Sequence, residues 1–155
     1  MAEDSALAKF KLGINLLRKG HSYEASEYFR HAAELEQKNP YYLSFLGVSV
    51  GRAHRKWAAA VELCEAAVSL KRSEAQLYLN LAEVYVAAGR RDDAVELLDK
   101  GLIYCSTDAR IRRARANLGR RCSSVLPFLE RGHFLNRSLG KLRHNVSGRL
   151  WKSEV

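Results

Sequence analysis

Small residues return in this chain at intervals of 34 or 35 positions, and that return constrains the fold more than anything else in it. Three segments align: KLGINLLRKGHSYEASEYFRHAAEL, FLGVSVGRAHRKWAAAVELCEAAVSL and NLAEVYVAAGRRDDAVELLDKGLIY. Each opens with a leucine followed by a small residue, Leu12-Gly13, Leu46-Gly47 and Leu81-Ala82. Each then carries an alanine, Ala25, Ala60 and Ala94. A larger apolar residue stands four places on (Phe29, Cys64, Leu98), and a second small one three places further (Ala32, Ala67, Gly101). Fixed self-similarity at this period is the mark of stacked supersecondary units.

Within each unit the apolar spacing is helical. Gly13 and Ala25 are small enough to let two antiparallel helices approach closely. Ala32 lets the second helix meet the first helix of the next unit, and Leu12, Leu16 and Phe29 fill the space between. Gly20 and Gly89 punctuate the first and third units, where the second has Ala53-His54-Arg55-Lys56 and one extra residue. Helices are expected near residues 6–19, 22–37, 41–53, 57–71, 74–88 and 91–104. A seventh is expected in DARIRRARANLGRRCSS, with Ile111, Ala114, Leu118 and Cys122 on one face to cover the last unit.

This pattern resembles the tetratricopeptide repeat family, over about residues 6–107. Lys9, Leu43 and Tyr78 stand where the family has a tryptophan, and its terminal proline is missing, although Pro40 lies just past the first unit. The resemblance implies an all-α, right-handed superhelix of three antiparallel helix pairs with a capping helix, here over residues 1–122. Residues 123–155 are expected to form a basic extension with a short amphipathic helix.

The resemblance also implies a concave face lined by the first helix of each pair. Its candidate residues are Phe10, Ile14 and Leu17, with Leu7 and Arg18 beside them, in the first unit. The second offers Tyr41, Phe45 and Val48, with Ser44 and Arg52, and the third offers Leu79, Asn80 and Glu83, with Gln76 and Val86. The seventh helix adds Arg110, Arg113, Asn117 and Arg121. Such a face is apolar at one end and arginine-rich at the other, suited to a protein or peptide partner with acidic groups. Phe10, Phe45 and Leu79 stand equally as core between units. Family members that grip chaperone C-termini carry a Lys/Asn/Arg carboxylate clamp, but the places for it hold Ile14, Gln76 and Asn80. That ligand is not expected here. A bacterial secretion chaperone for hydrophobic cargo is a secondary reading, since the basic tail does not suit it.

Of the formal net charge of +9, residues 1–109 contribute −1, from 14 Lys and Arg against 15 Asp and Glu. Residues 110–155 contribute +10, from 12 against 2. In the tail, Pro127 and Gly132 break the chain. Phe134, Leu135, Leu139, Leu142 and Val146 then recur at helical spacing, and Arg137, Lys141, Arg143 and His144 supply the polar surface. This segment is expected to cap the repeats or fold into the groove. Its alternatives are an anionic membrane surface, which would make the protein a peripheral adaptor, and, least favoured, nucleic acid.

The acidic N-terminus does not read as a signal peptide, and no run is long and apolar enough for a membrane span, so a cytoplasmic location is expected. Three scattered cysteines lack metal or redox spacing. The Ser138–Lys141 match to Ser-x-x-Lys has no companion motif, and the five histidines are dispersed. No enzyme activity, cofactor or metal is expected.

Overall fold

The structure is a computed structural model and describes residues 5–119. Seven α-helices run through these residues: α1 (Ala6–Arg18), α2 (Ser22–Leu35), α3 (Pro40–His54), α4 (Trp57–Leu70), α5 (Ala75–Ala87), α6 (Arg91–Tyr104) and α7 (Ala109–Asn117). Consecutive helices pack as antiparallel pairs, α1 with α2, α3 with α4 and α5 with α6, and α7 covers the last pair. The expected helix bounds agree to within one or two residues for the first six. No helix among the described residues is long and apolar enough to cross a membrane.

Local chemistry fixes the helix ends. Ser5 Oγ accepts from the Ala8 amide at 3.1 Å, Asn39 Oδ1 from Tyr41 at 3.1 Å and Asp108 Oδ1 from Arg110 at 2.8 Å, each capping a first helix. Pro40 begins α3 instead of merely following α2, because a first-turn proline lacks only an amide that has no intrahelical acceptor. At the turns inside the first and third pairs, Gly20 (φ 88°) and Gly89 (φ 78°) take the left-handed conformation. In the second pair Arg55 takes it instead, at φ 55° and ψ 23°. The repeat thus keeps its turn geometry after losing its glycine.

The repeat alanines Ala25, Ala32, Ala60, Ala67 and Ala94 are all fully buried. A Cβ at Gly13 would lie 2.6 Å from the Phe29 ring, and one at Gly47 would lie 2.5 Å from Cys64 Sγ and 2.8 Å from the Ala60 carbonyl oxygen. Both distances are below van der Waals contact, so the small residue sets how closely the paired helices approach. Leu46 and Leu81 are 8% and 1% exposed, whereas Leu12, at the same repeat position, is 48% exposed. The second helices α2 and α4 pack against α3 and α5, while α1 has no such helix before it among the described residues. Its neighbours Lys11, Asn15 and Lys19 are exposed and polar, as the outer face of a terminal repeat requires.

The seventh helix is shorter than expected. It ends at Asn117, and Gly119 has φ 72°. Ile111 is fully buried, and Ala114 and Leu118 pack against the core as the sequence pattern implies. Arg121, Cys122, the boundary at residue 122, the tail helix and the tail residues Arg137, Lys141 and Arg143 lie outside the described residues.

Candidate interaction groove

The four first helices, α1, α3, α5 and α7, are joined side to side by contacts that identify a shared face. Arg52 on α3 pairs with Glu83 on α5, Nη2 to Oε1 at 2.7 Å and Nε to Oε1 at 2.8 Å. Arg110 on α7 donates from Nη1 to Gln76 Oε1 on α5 at 3.0 Å. Asn80 Nδ2 on α5 donates to Ser44 Oγ on α3 at 2.9 Å, and Gln76 Nε2 donates to Asn80 Oδ1 at 2.8 Å. On α1, Phe10 packs against Tyr42 and Phe45 of α3, with ring centroids 4.8 and 5.4 Å away.

Most of the candidate residues come to this face, at different depths. Phe10, Ile14, Tyr41, Phe45 and Leu79 are half-buried: each packs on the core and keeps part of its surface open. Glu83, Arg110, Arg113 and Asn117 are exposed. Four candidates go elsewhere. Leu17, Ser44, Val48 and Asn80 are buried, the last at 5% exposure. Leu17 and Val48 belong to the core cluster, and the Asn80 amide is consumed by Ser44 and Gln76, so none of them offers surface to a partner. The apolar surface lies instead at Leu7, 51% exposed and three residues before Phe10, and at Val86, 42% exposed and three residues after Glu83. Residues three or four apart share a helix face, which puts both beside the groove residues of their helices.

Electrostatics differ along the face. Glu83 is the single acidic residue on the four first helices, and Arg52 lies on it. Arg110 is held on two sides, by Gln76 and by Asp108 (Nη2 to Oδ2, 2.8 Å). The hydrogen bonds from Arg110 hold the Asp108 carboxyl below its ordinary range, and Asp108 in turn raises the guanidinium. Arg113, one turn further along α7, has neither ion pair nor hydrogen bond among the described residues.

One cluster was not legible in the repeat pattern. The Tyr41 hydroxyl donates to the Glu74 carboxylate and accepts from Lys71 Nζ at 3.2 Å. The Tyr41 hydrogen bond is the main cause of the lowered Glu74 pKa. Glu74 and Lys71 lie in the turn between repeats, so only contacts across 33 and 30 residues link them to the face. Neither cysteine with a described environment is a site. Burial pushes the Cys64 thiol up to about 12 and raises that of Cys105. Among the described residues, no group of three potential ligands could hold a metal ion.

Residues 52–118 match the model of a tetratricopeptide repeat family. No curated protein sequence matches the chain. Several solved structures share its fold. One is the first TPR domain of Spaghetti (RPAP3) bound to an HSP90 peptide, with a TM-score of 0.62 at 19% identity, covering 74% of this chain and 92% of that one. Another is the Sgt2 TPR domain from Aspergillus fumigatus, with a TM-score of 0.64 at 16% identity, covering 73% and 76%. A third is the second TPR domain of human RPAP3 in complex with an HSP70 peptide, with a TM-score of 0.62 at 13% identity, covering 75% and 96%. At these identities the likeness is one of fold, and it agrees with the family match and with the repeat positions read from the sequence. The described residues therefore have the fold of tetratricopeptide-repeat domains, and residues 52–118 are similar to that family at the level of sequence.

Proposed function

We propose that the protein is a non-catalytic interaction scaffold that takes a peptide or helix along the face formed by α1, α3, α5 and α7. The observation that carries this reading is the strip of half-open apolar side chains on α1 and α3. Leu7, Phe10, Ile14 and Phe45 keep surface exposed on a face whose helices are already fixed to one another. Each aliphatic side chain a partner buried there would contribute ~1.5–3 kcal/mol before ordering costs. Two structures of the same fold are complexes with HSP90 and HSP70 peptides, which supports the use of such a scaffold for peptides. The ligand would differ from those peptides. Ile14 is apolar, Gln76 is engaged by Arg110 and Asn80 is buried, so those three clamp places hold no cation for a terminal carboxylate.

The test is affinity capture with the intact chain and with a Leu7→Glu/Val86→Glu variant. Both positions are open enough to accept a charge without disturbing the core. The variant is expected to keep its helical content and melting temperature and to lose its partners. A folded variant that holds every partner as tightly as before would remove this face as the binding surface.

A further inference from the structure

Resting on that reading of the groove, we infer that its ligand is an extended segment with apolar residues at one end and an acidic cluster at the other. The ligand lies with its acids over Arg110 and Arg113 of α7 and its apolar anchors over Leu7, Phe10 and Ile14 of α1.

Charge in this fold is sorted by layer. The first helices carry eight Lys or Arg and one acidic residue, and the second helices carry nine acidic residues and three basic ones. Not all of the first-helix cations face the groove: Lys11 is on the outer face of α1 and Arg115 pairs with Asp99 of α6, but Arg18, Arg52, Arg110 and Arg113 hold groove positions against the single acid Glu83, a balance that favours an anionic ligand. Charge is also sorted along the groove. Arg52 is occupied by Glu83. Arg18 on α1 is a lone exposed cation, whereas Arg110 and Arg113 form a pair at the α7 end, three residues apart on one helix face, and a pair is what an acidic cluster requires. They differ in state. Gln76 and Asp108 fix the direction of the Arg110 guanidinium, which leaves it preorganised, whereas exposed Arg113 has no protein acceptor among the described residues. A carboxylate beside Arg113 can take both of its terminal N–H groups. The α1 end offers no acid; it presents exposed Leu7 and half-open Phe10 and Ile14, with the single cation Arg18 at its C-terminal turn.

The fold converts this polarity into a spacing. From α1 through α3 and α5 to α7 are three helix-to-helix steps of about 8–10 Å, a span of about 25–30 Å. An extended strand rising about 3.3 Å per residue covers that span in about eight or nine residues. A ligand whose acids lie next to its apolar anchors cannot satisfy both ends.

A display library of random 15-residue peptides, selected on the intact chain and on its Arg113→Glu variant, tests this. Enriched peptides are expected to hold an acidic pair about eight or nine residues from an aliphatic or aromatic pair. Arg113→Glu should weaken those peptides about tenfold or more and should itself select lysine or arginine at the acidic positions. The proposal is overturned if the enriched peptides lack acids, carry them beside the anchors, or bind Arg113→Glu unchanged. Should such peptides still lose binding with Leu7→Glu/Val86→Glu, the groove reading survives and only its polarity fails. No enrichment on a folded chain would overturn both. Oligouridylate or phosphatidylserine vesicles displacing the selected peptides in an Arg113-dependent way would assign the cations to another class of ligand.

Discussion

Replacing Gly47 with alanine adds one methyl group at the closest approach of α3 to α4. In an open helix this change stabilises by about 1 kcal/mol, because alanine gives up less backbone freedom than glycine. Here the new Cβ would lie 2.5 Å from Cys64 Sγ and 2.8 Å from the carbonyl oxygen of Ala60. The sulfur can rotate only within a fully buried site, and the carbonyl belongs to α4 and cannot move without it. Overpacking of this kind costs about 1–3 kcal/mol, and an immobile backbone neighbour puts the site toward the upper end. After the helix gain is subtracted, a net loss of about 1–2 kcal/mol is expected, or about 4–8 °C in Tm for a domain of this size. Denaturant and thermal unfolding followed by circular dichroism read it directly. The double variant Gly47→Ala/Cys64→Ala separates the two clashes. It removes the sulfur and leaves the carbonyl, so it should be less destabilised than the sum of the single variants while remaining below Cys64→Ala alone. A Gly47→Ala protein as stable as the parent, or strictly additive behaviour, would refute the claim that small residues set the approach of these helices.

Other expectations follow from single contacts. Asn80→Leu leaves the buried Ser44 hydroxyl without its donor and Gln76 without its acceptor, and should cost about 1–3 kcal/mol in the same unfolding assay. Arg52→Ala and Glu83→Ala break an ion pair whose partners are both more than 40% exposed, and each should change stability by less than about 1 kcal/mol. The Cys64 thiol, with a pKa near 12, should resist thiol reagents at pH 8 in the folded protein and react once denaturant opens it. Glu74 and Asp108 have lowered pKa values when folded, so their contribution is complete above the ordinary carboxylate range and is lost as pH falls through the folded values. Acid titration of Glu74→Gln should therefore show a shallower loss of stability than the parent.

The architecture was legible because close packing leaves few choices at a few positions. Ala25, Ala60 and Ala94 recur because any larger side chain would hold two helices apart, so spacing alone located the pairs. Depth within the groove was not legible in the same way. Neighbouring positions on a helix are separated by about 100°, and a small rotation exchanges core for surface. Val48 and Asn80 fell on the buried side of that division and Leu7 and Val86 on the open side. The extra residue in the second repeat widened the ambiguity there. Contacts such as Ser44 to Asn80, 36 residues apart, depend on how two helices sit against each other, and no local pattern carries that. The Arg55 turn was likewise hidden, since arginine is not a residue that announces a left-handed backbone.

The hydrogen bonds from Ser44 through Asn80 and Gln76 to Arg110 join three of the four helices under the groove, and among the described residues no buried side-chain nitrogen or oxygen is left without a partner. Sliding α5 by one turn against α3 would break the first of these bonds and leave a bare amide facing apolar neighbours. The helices therefore have one favourable alignment. A ligand of the kind proposed would meet, on this face, a surface whose ordering entropy was spent during folding, and the freedom lost on binding would be mostly the ligand's own. Affinity in such a system would be tuned from the ligand's side: stiffening the peptide in its bound shape should gain more than adding contacts to a face whose helices are already hydrogen-bonded in one register.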